Sequence, residues 1–195
     1  MDHERIKYHI RGLLEAVGEN PEREGLLETP ERVANALKEV LAGTNVSNDE
    51  IAEMFGKTFE SPINIETADD IVIVRDIDAF SYCEHHMALM YDMAVTVAYI
   101  PRGRILGLSK IVRMVDMAAK RLTIQERLGR DIKEIMQKAS GSEDVAVFIT
   151  AKHSCMTARG IKNAGAVTST ATLSGRFLSD NRLRDKLYFE IGHRG

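Results

Sequence analysis

The run Val95-Thr96-Val97-Ala98-Tyr99-Ile100 decides the fold class, together with the earlier run Ile71-Val72-Ile73-Val74. Both runs are rich in β-branched residues, and the later one ends at the turn signal Pro101-Arg102-Gly103. Such runs are typical of strands. Upstream of them the hydrophobic residues recur at spacings of three and four, so the sequence predicts a helical first third that is followed by a sheet.

The helical part is predicted to hold three helices. They cover residues 4–17, residues 29–43 and residues 48–55. Thr29 followed by Pro30 is a helix start, with Thr29 as the N-cap and proline at the first helical position. The polar stretch 60–70 predicts a linker. We therefore expect an N-terminal helical segment at 1–60 and a second domain at 61–195.

Two more helices and two more strands are predicted downstream. Ser109 is expected to cap one helix, and Thr123-Ile124-Gln125-Glu126 has the capping-box pattern that opens another. Strands are predicted at 145–151 and 166–173, and a short helix at 180–189. The order strand, strand, helix, helix, strand, strand favours an α+β fold with an antiparallel sheet backed by two helices.

Composition narrows the function classes. The chain has 195 residues, a net charge of -3, 44% hydrophobic and 28% charged residues, which is typical of a globular protein rather than a nucleic-acid binder. Its apolar runs are shorter than the roughly 18 residues of a membrane helix. The charged N-terminus lacks a secretory signal, so we expect a cytoplasmic protein. Two cysteines in a reducing compartment favour metal binding or catalysis over a disulfide.

Both cysteines and three of the six histidines fall in two short windows, Ser81-Tyr82-Cys83-Glu84-His85-His86 and His153-Ser154-Cys155-Met156. Cys83 and His86 have a spacing that lets one tight turn supply two ligands to a tetrahedral ion, and Cys155 supplies a third. Three protein ligands leave one position open for water, which indicates catalytic zinc. Structural zinc is one alternative. Another is no metal, with Cys155 as a small buried hydrophobe.

Two histidines are candidates for proton transfer. His153 lies two residues before Cys155 at a predicted strand end, so in an extended chain both side chains face the same way. His85 is next to the candidate ligand His86. A neutral imidazole can take or give a proton near pH 7. The alternative for each is a surface or hydrogen-bonded histidine.

Two charged residues also have competing interpretations. The capping-box pattern favours a bond from Glu126 back to the backbone of Thr123, whereas a free carboxylate could accept paired N–H donors from a base. Arg159 could hold a phosphate bidentately or be a solvated surface charge. Lys110, Arg113 and Lys162 are further cations close in sequence to the candidate site.

Several longer motifs resemble the GTP cyclohydrolase I family. The resemblance covers about residues 10–178. Its motifs are Gly25-Leu26-Leu27-Glu28-Thr29-Pro30-Glu31-Arg32, Cys83-Glu84-His85-His86, Gly107-Leu108-Ser109-Lys110, Gln125-Glu126-Arg127-Leu128 and His153-Ser154-Cys155-Met156-Thr157-Ala158-Arg159-Gly160. The chain departs from the family pattern over Met87-Ala88-Leu89-Met90-Tyr91-Asp92, where many members have Pro-Phe and a following glycine, and at Thr123, which replaces a glutamine.

The resemblance implies a fold, an assembly and roles for individual residues. The fold is the tunnelling fold, in which antiparallel four-stranded sheets of several subunits close into a barrel, and the assembly is a homodecamer of two face-to-face pentamers with sites at subunit interfaces. The implied zinc ligands are Cys83, His86 and Cys155. The implied proton-transfer residues are His85 and His153. The implied substrate-binding residues are Glu126 for guanine, Gln125 beside it, Ser109, Lys110, Arg113 and Arg159 for ribose and triphosphate, and Arg32 from a neighbouring subunit.

The implied activity is hydrolytic opening of the guanine imidazole ring of GTP, release of formate and reclosure to 7,8-dihydroneopterin triphosphate. Two alternatives stay open. A nitrile reductase of the same fold would use NADPH and a cysteine nucleophile and would need no zinc. A non-catalytic oligomeric protein that binds purines or pterins would keep zinc as a structural ion.

Overall fold

The structure, a computed structural model, describes residues 1–60 and 70–192. Its N-terminal third is helical, as predicted, with α1 at His3–Ala16, α2 at Thr29–Val40 and α3 at Asn48–Phe55. The short strand β1, Thr58–Glu60, follows α3 and was not predicted. Most of the predicted linker, residues 61–69, lies outside the described residues.

The helix caps agree only in part with the predictions. Ser47 caps α3 in a reciprocal capping box with Glu50, which explains why α3 begins where the sequence indicates. The prediction of Thr29 as an N-cap is wrong. Thr29 is already helical in α2, and the N-cap is Glu28, which makes no side-chain cap bond. Proline near the start fixes this helix without a capping side chain.

The main sheet contains the four predicted strands. They are β2 at Val72–Cys83, β3 at Ala88–Tyr99, β6 at Val145–His153 and β7 at Thr168–Leu173, and neighbours pair antiparallel. The two-residue strand β5, Leu122–Thr123, adds a parallel pairing to β2. Within the described residues the sheet therefore has five strands, in the order β5-β2-β3-β6-β7. A separate ribbon pairs β1 with β4, Arg104–Leu106.

Strands β2 and β3 are longer than predicted. Each strand contains a β-bulge, at Asp76 and at Asp92, and continues beyond that polar residue. Asp76 and Asp92 both have positive φ, 53° and 47°, at shifts in the β2–β3 and β3–β6 registers. A bulge bends its strand and increases the local twist. Asp92 ends the stretch in which the chain departs from the family pattern, and its carboxylate accepts from Lys152 Nζ at 2.9 Å.

Two long helices back the sheet, as predicted. Helix α4 covers Leu108–Ala119 and helix α5 covers Gln125–Ser140. Both predicted caps are wrong, because the N-cap of α4 is Gly107 rather than Ser109 and that of α5 is Ile124 rather than Thr123. Neither helix has a side-chain cap bond. Thr123 belongs to β5 and donates its hydroxyl to the Ile124 carbonyl at 3.2 Å.

The core lies between these helices and the sheet. Ile111, Met114 and Val115 of α4 and Leu128 and Ile132 of α5 are almost fully buried there. The other sheet face packs a second cluster from the C-terminal helices α7, Arg176–Ser179, and α8, Asn181–Gly192. In the part of the chain that the structure describes, every helix is too short or too polar to span a membrane.

Candidate active site

The first candidate window is a tight turn at one end of the sheet. Cys83 is the last residue of β2, buried and paired with Ala88 of β3, and the turn itself occupies residues 84–87. Cys83 therefore belongs to the sheet and not to the connecting turn. His85 and His86 are exposed on the turn. A strand-end thiol and a turn imidazole thus lie three residues apart at this end of the sheet.

The second window lies at the same end, because β6 is the neighbour of β3. His153, the last residue of β6, pairs with Met90. The chain then forms the short helix α6, Ser154–Thr157. The prediction that His153 and Cys155 share one face of an extended strand is therefore wrong, since the backbone turns helical at Ser154.

Side-chain contacts join the two windows. Arg159, two residues after α6, places Nη1 3.2 Å from His86 Nε2. Tyr91 on β3 donates its hydroxyl to Thr157 Oγ1 at 3.1 Å. We call this part of the chain, residues 83–91 together with 153–159, the catalytic end of the sheet.

The candidate zinc ligands fit the metal by their chemistry. Within residues 1–60 and 70–192, three or more His, Cys, Asp or Glu side chains do not group closely enough to hold a metal ion. Two thiols and one imidazole nevertheless form a donor set that zinc prefers. A guanidinium only donates, so the contact with Arg159 makes His86 Nε2 an acceptor, and an unprotonated nitrogen is what a metal requires.

His153 is held by a buried amide. Its Nε2 lies 2.8 Å from Oε1 of Gln125, a residue of the first turn of α5 that is 1% exposed. Partial burial lowers the pKa of His153 below its ordinary value, and the nearby charge of Glu126 acts in the opposite direction with a smaller effect. The lowered pKa favours a neutral imidazole near pH 7, which can act in proton transfer.

Glu126 is free for a ligand. It lies in the first turn of α5 and is exposed, and the helix has no side-chain cap bond. The capping interpretation of Glu126 is therefore wrong. The residue before it, Gln125, contacts His153, so Glu126 and His153 belong to the same part of the site. A carboxylate beside an imidazole can accept N–H donors from a bound base.

The predicted triphosphate group lies at the opposite end of the sheet. Leu106, just before α4, donates its N–H to the hydroxyl of Tyr99, and Tyr99 pairs with Val72 at the start of β2. At its other end, α4 leads into β5, which pairs beside Cys83. Helix α4 thus runs in the same direction as β2. The residues involved are Ser109 and Lys110 in the first turn and Arg113 in the next.

Arg32 belongs to the N-terminal helical part of the chain. It lies on α2, which packs against α1, and its guanidinium donates to Glu28 at 2.5 Å. Sequence reasoning also missed the ion pair between Arg127 of α5 and Glu84 of the turn. The two residues are far apart in sequence, so no local pattern could have indicated their contact.

Comparison with known proteins gives the family. Residues 6–192 match the family described as GTP cyclohydrolase I. The chain belongs to the GTP cyclohydrolase I family. Three relatives named GTP cyclohydrolase 1 come from Clostridium acetobutylicum, Ruminiclostridium cellulolyticum and Clostridium botulinum. They are 56%, 60% and 55% identical, and each alignment covers 96% of this chain and 96% of the relative.

A solved structure is also similar to this family member. It is the apo form of the archaeosine synthase QueF-Like, with a TM-score of 0.43 and 24% identity, and the match covers 54% of this chain and 92% of that chain. The family assignment rests on the sequence matches alone.

Proposed function

We propose that the chain is a GTP cyclohydrolase I, which opens the imidazole ring of GTP, releases formate and closes the product to 7,8-dihydroneopterin triphosphate. The reaction belongs to the hydrolases that act on C–N bonds of cyclic amidines. The relatives named for this activity match the chain along almost its whole length, which supports the proposal. We further propose that the enzyme is cytoplasmic.

The catalytic end supplies the groups for the chemistry on the base. Cys83, His86 and Cys155 would hold zinc, which when bound with one open position activates a water near neutral pH. Glu126 accepts N–H donors of the guanine and fixes its orientation. His153 delivers a proton to the ring nitrogen beside carbon 8, which makes that carbon more electrophilic.

Later steps need a second proton-transfer group. His85 is exposed on the same turn as His86, and the ion pair between Glu84 and Arg127 ties that turn to the helix that carries Glu126. It assists proton transfer during ring opening and loss of formate. Arg159 binds the triphosphate once its contact with His86 is released, because a guanidinium pairs more strongly with phosphate than with a neutral imidazole.

The complete site needs more than one chain. Ser109 and Lys110 lie in the first turn of α4, and the 12 residues of this helix, about 18 Å at about 1.5 Å per residue, separate them from β5, which pairs beside Cys83. One GTP bound at Glu126 therefore takes its triphosphate contacts from a neighbouring copy. The N-terminus of α4 suits this role, because free backbone N–H groups there favour an anion.

This requirement supports an assembly like that of the family. We propose a homodecamer of two pentamers with the tunnelling fold, in which Ser109, Lys110, Arg113 and Arg32 enter the site from neighbouring subunits. We also propose the division into a helical segment at 1–60 and a catalytic domain at 61–195. Helix α3 packs on both α4 and α5, so the first part is firmly joined to the second.

One observation carries the active-site part of the proposal. The contact between Arg159 and His86 joins the turn after β2 to the segment after β6, so residues some seventy positions apart in sequence meet at one end of the sheet. Metal ligands, proton-transfer groups and a base-binding carboxylate are then neighbours. This set of groups suits hydrolysis of a heterocyclic base.

The direct test is incubation of the purified, zinc-loaded protein with GTP. Formate and the fluorescence of the oxidised pterin are followed together, and Cys155→Ala serves as the control. We expect both products from the unchanged protein and neither from the variant. A zinc-loaded oligomer that binds GTP but releases no formate would contradict the proposal and would favour a non-catalytic binding protein.

A further inference from the structure

The side chain of Gln125 is buried and uses both ends of its amide. Its Nε2 lies 2.9 Å from the carbonyl oxygen of Ile149, 3.2 Å from that of Thr168 and 3.2 Å from Oγ1 of Thr170. Its Oε1 faces His153 Nε2 at 2.8 Å. Gln125 therefore joins the start of α5 to β6, to β7 and to the candidate proton donor.

These partners determine which way the amide points. Backbone carbonyl oxygens only accept hydrogen bonds, so the NH₂ group must face Ile149 and Thr168. The reversed amide would place its oxygen against two carbonyl oxygens in a buried position, where unmet polar groups are costly. Oε1 is consequently the end that meets His153.

The orientation of the amide determines the tautomer of the imidazole. Oε1 has no hydrogen, so the bond to His153 exists only if Nε2 carries the proton. A neutral imidazole has a single N–H, which leaves Nδ1 with a free lone pair. We infer that Gln125 is a positioning residue that holds neutral His153 as the Nε2–H tautomer and makes Nδ1 the nitrogen that exchanges a proton with the substrate.

This role differs from the substrate binding expected for Gln125. Both amide hydrogens are shared among three acceptors within the chain, and the oxygen is taken by His153, so the side chain has no free donor for guanine. Gln125 acts on the reaction through His153. The inference rests on the proposed function for its catalytic consequence, whereas the tautomer itself does not depend on GTP.

The proton balance is simple. Nδ1 of the neutral ring first takes up a proton from solvent with its lone pair, and then gives that proton to the lone pair of the substrate nitrogen, so that the electrons of the broken N–H bond stay on Nδ1. The ring returns to the Nε2–H form with its bond to Gln125 unchanged. Holding one tautomer throughout the cycle removes a rearrangement from the reaction.

The tautomer can be measured without turnover. Zinc-loaded protein with ¹⁵N-labelled histidine is sedimented, and solid-state ¹⁵N spectra are recorded at a pH where the imidazole is neutral, with His153→Ala to assign the signals. We expect His153 as the Nε2–H form. The Nδ1–H form in the unchanged protein would overturn the inference, even if every Gln125 variant failed to fold.

Gln125→Met then tests the cause. Methionine has a similar length and no acceptor oxygen, so we expect a mixture of tautomers, a kcat about 10- to 100-fold lower and a KM within about twofold of the original. Gln137→Met is the matched control, because Gln137 lies on the same helix and bonds to Glu143 rather than to a histidine. It should change neither the spectrum nor kcat.

Two results would overturn the role given to Gln125. One is a Gln125→Met protein with an unchanged Nε2–H signal from His153. The other is a rise in KM at unchanged kcat, which indicates a substrate contact. If the unchanged protein released no formate from GTP, the proposed function would fail, but the spectra would still decide the tautomer.

Discussion

Arg127 Nη1 donates to Glu84 Oε2 at 2.5 Å, which ties the turn that carries His85 and His86 to the helix that carries Glu126. The Glu84 N–H also donates to the Thr123 carbonyl at 3.1 Å, just before that helix. Both the backbone and the side chain of Glu84 therefore fix the turn to the segment that includes Thr123 and the start of α5. The ion pair is partly exposed, so solvent screens it.

The partial exposure of the Arg127–Glu84 ion pair limits how much the pair contributes to the free energy of unfolding. In a double-mutant cycle of Arg127→Ala and Glu84→Ala, we expect a coupling free energy of about 0.2–1 kcal/mol in urea unfolding, because exposed ion pairs contribute little. The coupling should decrease in high salt. A coupling of about 3 kcal/mol, or one independent of salt, would contradict a partly exposed pair.

Tyr99 is expected to contribute more, because its hydroxyl is buried. It accepts the N–H of Leu106 at 2.8 Å, and burial raises the pKa of Tyr99. Tyr99→Phe leaves that N–H without its partner, so the free energy of unfolding should fall by about 1–3 kcal/mol. Urea unfolding measures the change. Tyr8→Phe, at an exposed position, is the control and should change it by less than about 0.5 kcal/mol.

Glu31 of α2 pairs with His3 and Lys7 of α1, and these contacts make the stability of the packing between the two helices depend on pH. Hydrogen bonds from Lys7 and then His3 lower the pKa of Glu31 to about 2 from its ordinary value of 4.5. The folded state therefore binds a proton less readily than the unfolded state. The stabilisation is present above about pH 4.5 and is lost as the pH falls toward 2.

Glu31→Gln should reveal this dependence. We expect weaker hydrogen-exchange protection of α1 in the variant at about pH 6, and a difference from the original protein that shrinks steadily below about pH 4.5. Glu39→Gln removes the same charge from the same helix and is the control. A difference that stays constant down to about pH 3 would show that Glu31 does not act through its charge.

Hydrophobic patterns predicted the elements of the fold better than their ends. The hydrophobic spacing in α4 and α5 and the β-branched run in β3 coincide with buried residues, and such periodic burial is what a sequence pattern can predict. Thr29, Ser109 and Thr123 look like N-caps, but the N-caps are Glu28, Gly107 and Ile124, because tertiary packing and neighbouring strands also act on the helix starts. Local cap patterns cannot record those distant contacts.

The candidate site was predicted by residue type, whereas its arrangement depends on strand pairing. Cys83 and Cys155 come to one end because β3 lies between β2 and β6, a topology that spacing along the chain does not contain. Ser109 is closer to Cys83 in sequence than Cys155 is. It nevertheless lies at the far end, because β3 carries the chain along the whole sheet before α4 begins.

That separation predicts complementation between copies of the chain. Cys155→Ala and Lys110→Ala should each be inactive alone, the first because the metal set is broken and the second because a triphosphate contact is lost. If one site takes Cys155 from one chain and Lys110 from another, some sites in a mixed oligomer contain neither substitution. Random mixing at equal amounts should make about a quarter of the sites complete.

The measurement is formate release after the two variants are co-expressed or unfolded and refolded together. Recovery of about a quarter of the original activity is expected. Mixing Cys155→Ala with His153→Ala is the matched control. Both residues lie at the catalytic end of the same chain, so every chain in the mixed oligomer lacks one of them and every site stays incomplete. If the first mixture recovered no more activity than this control, Lys110 would serve the site of its own chain and the prediction would be wrong.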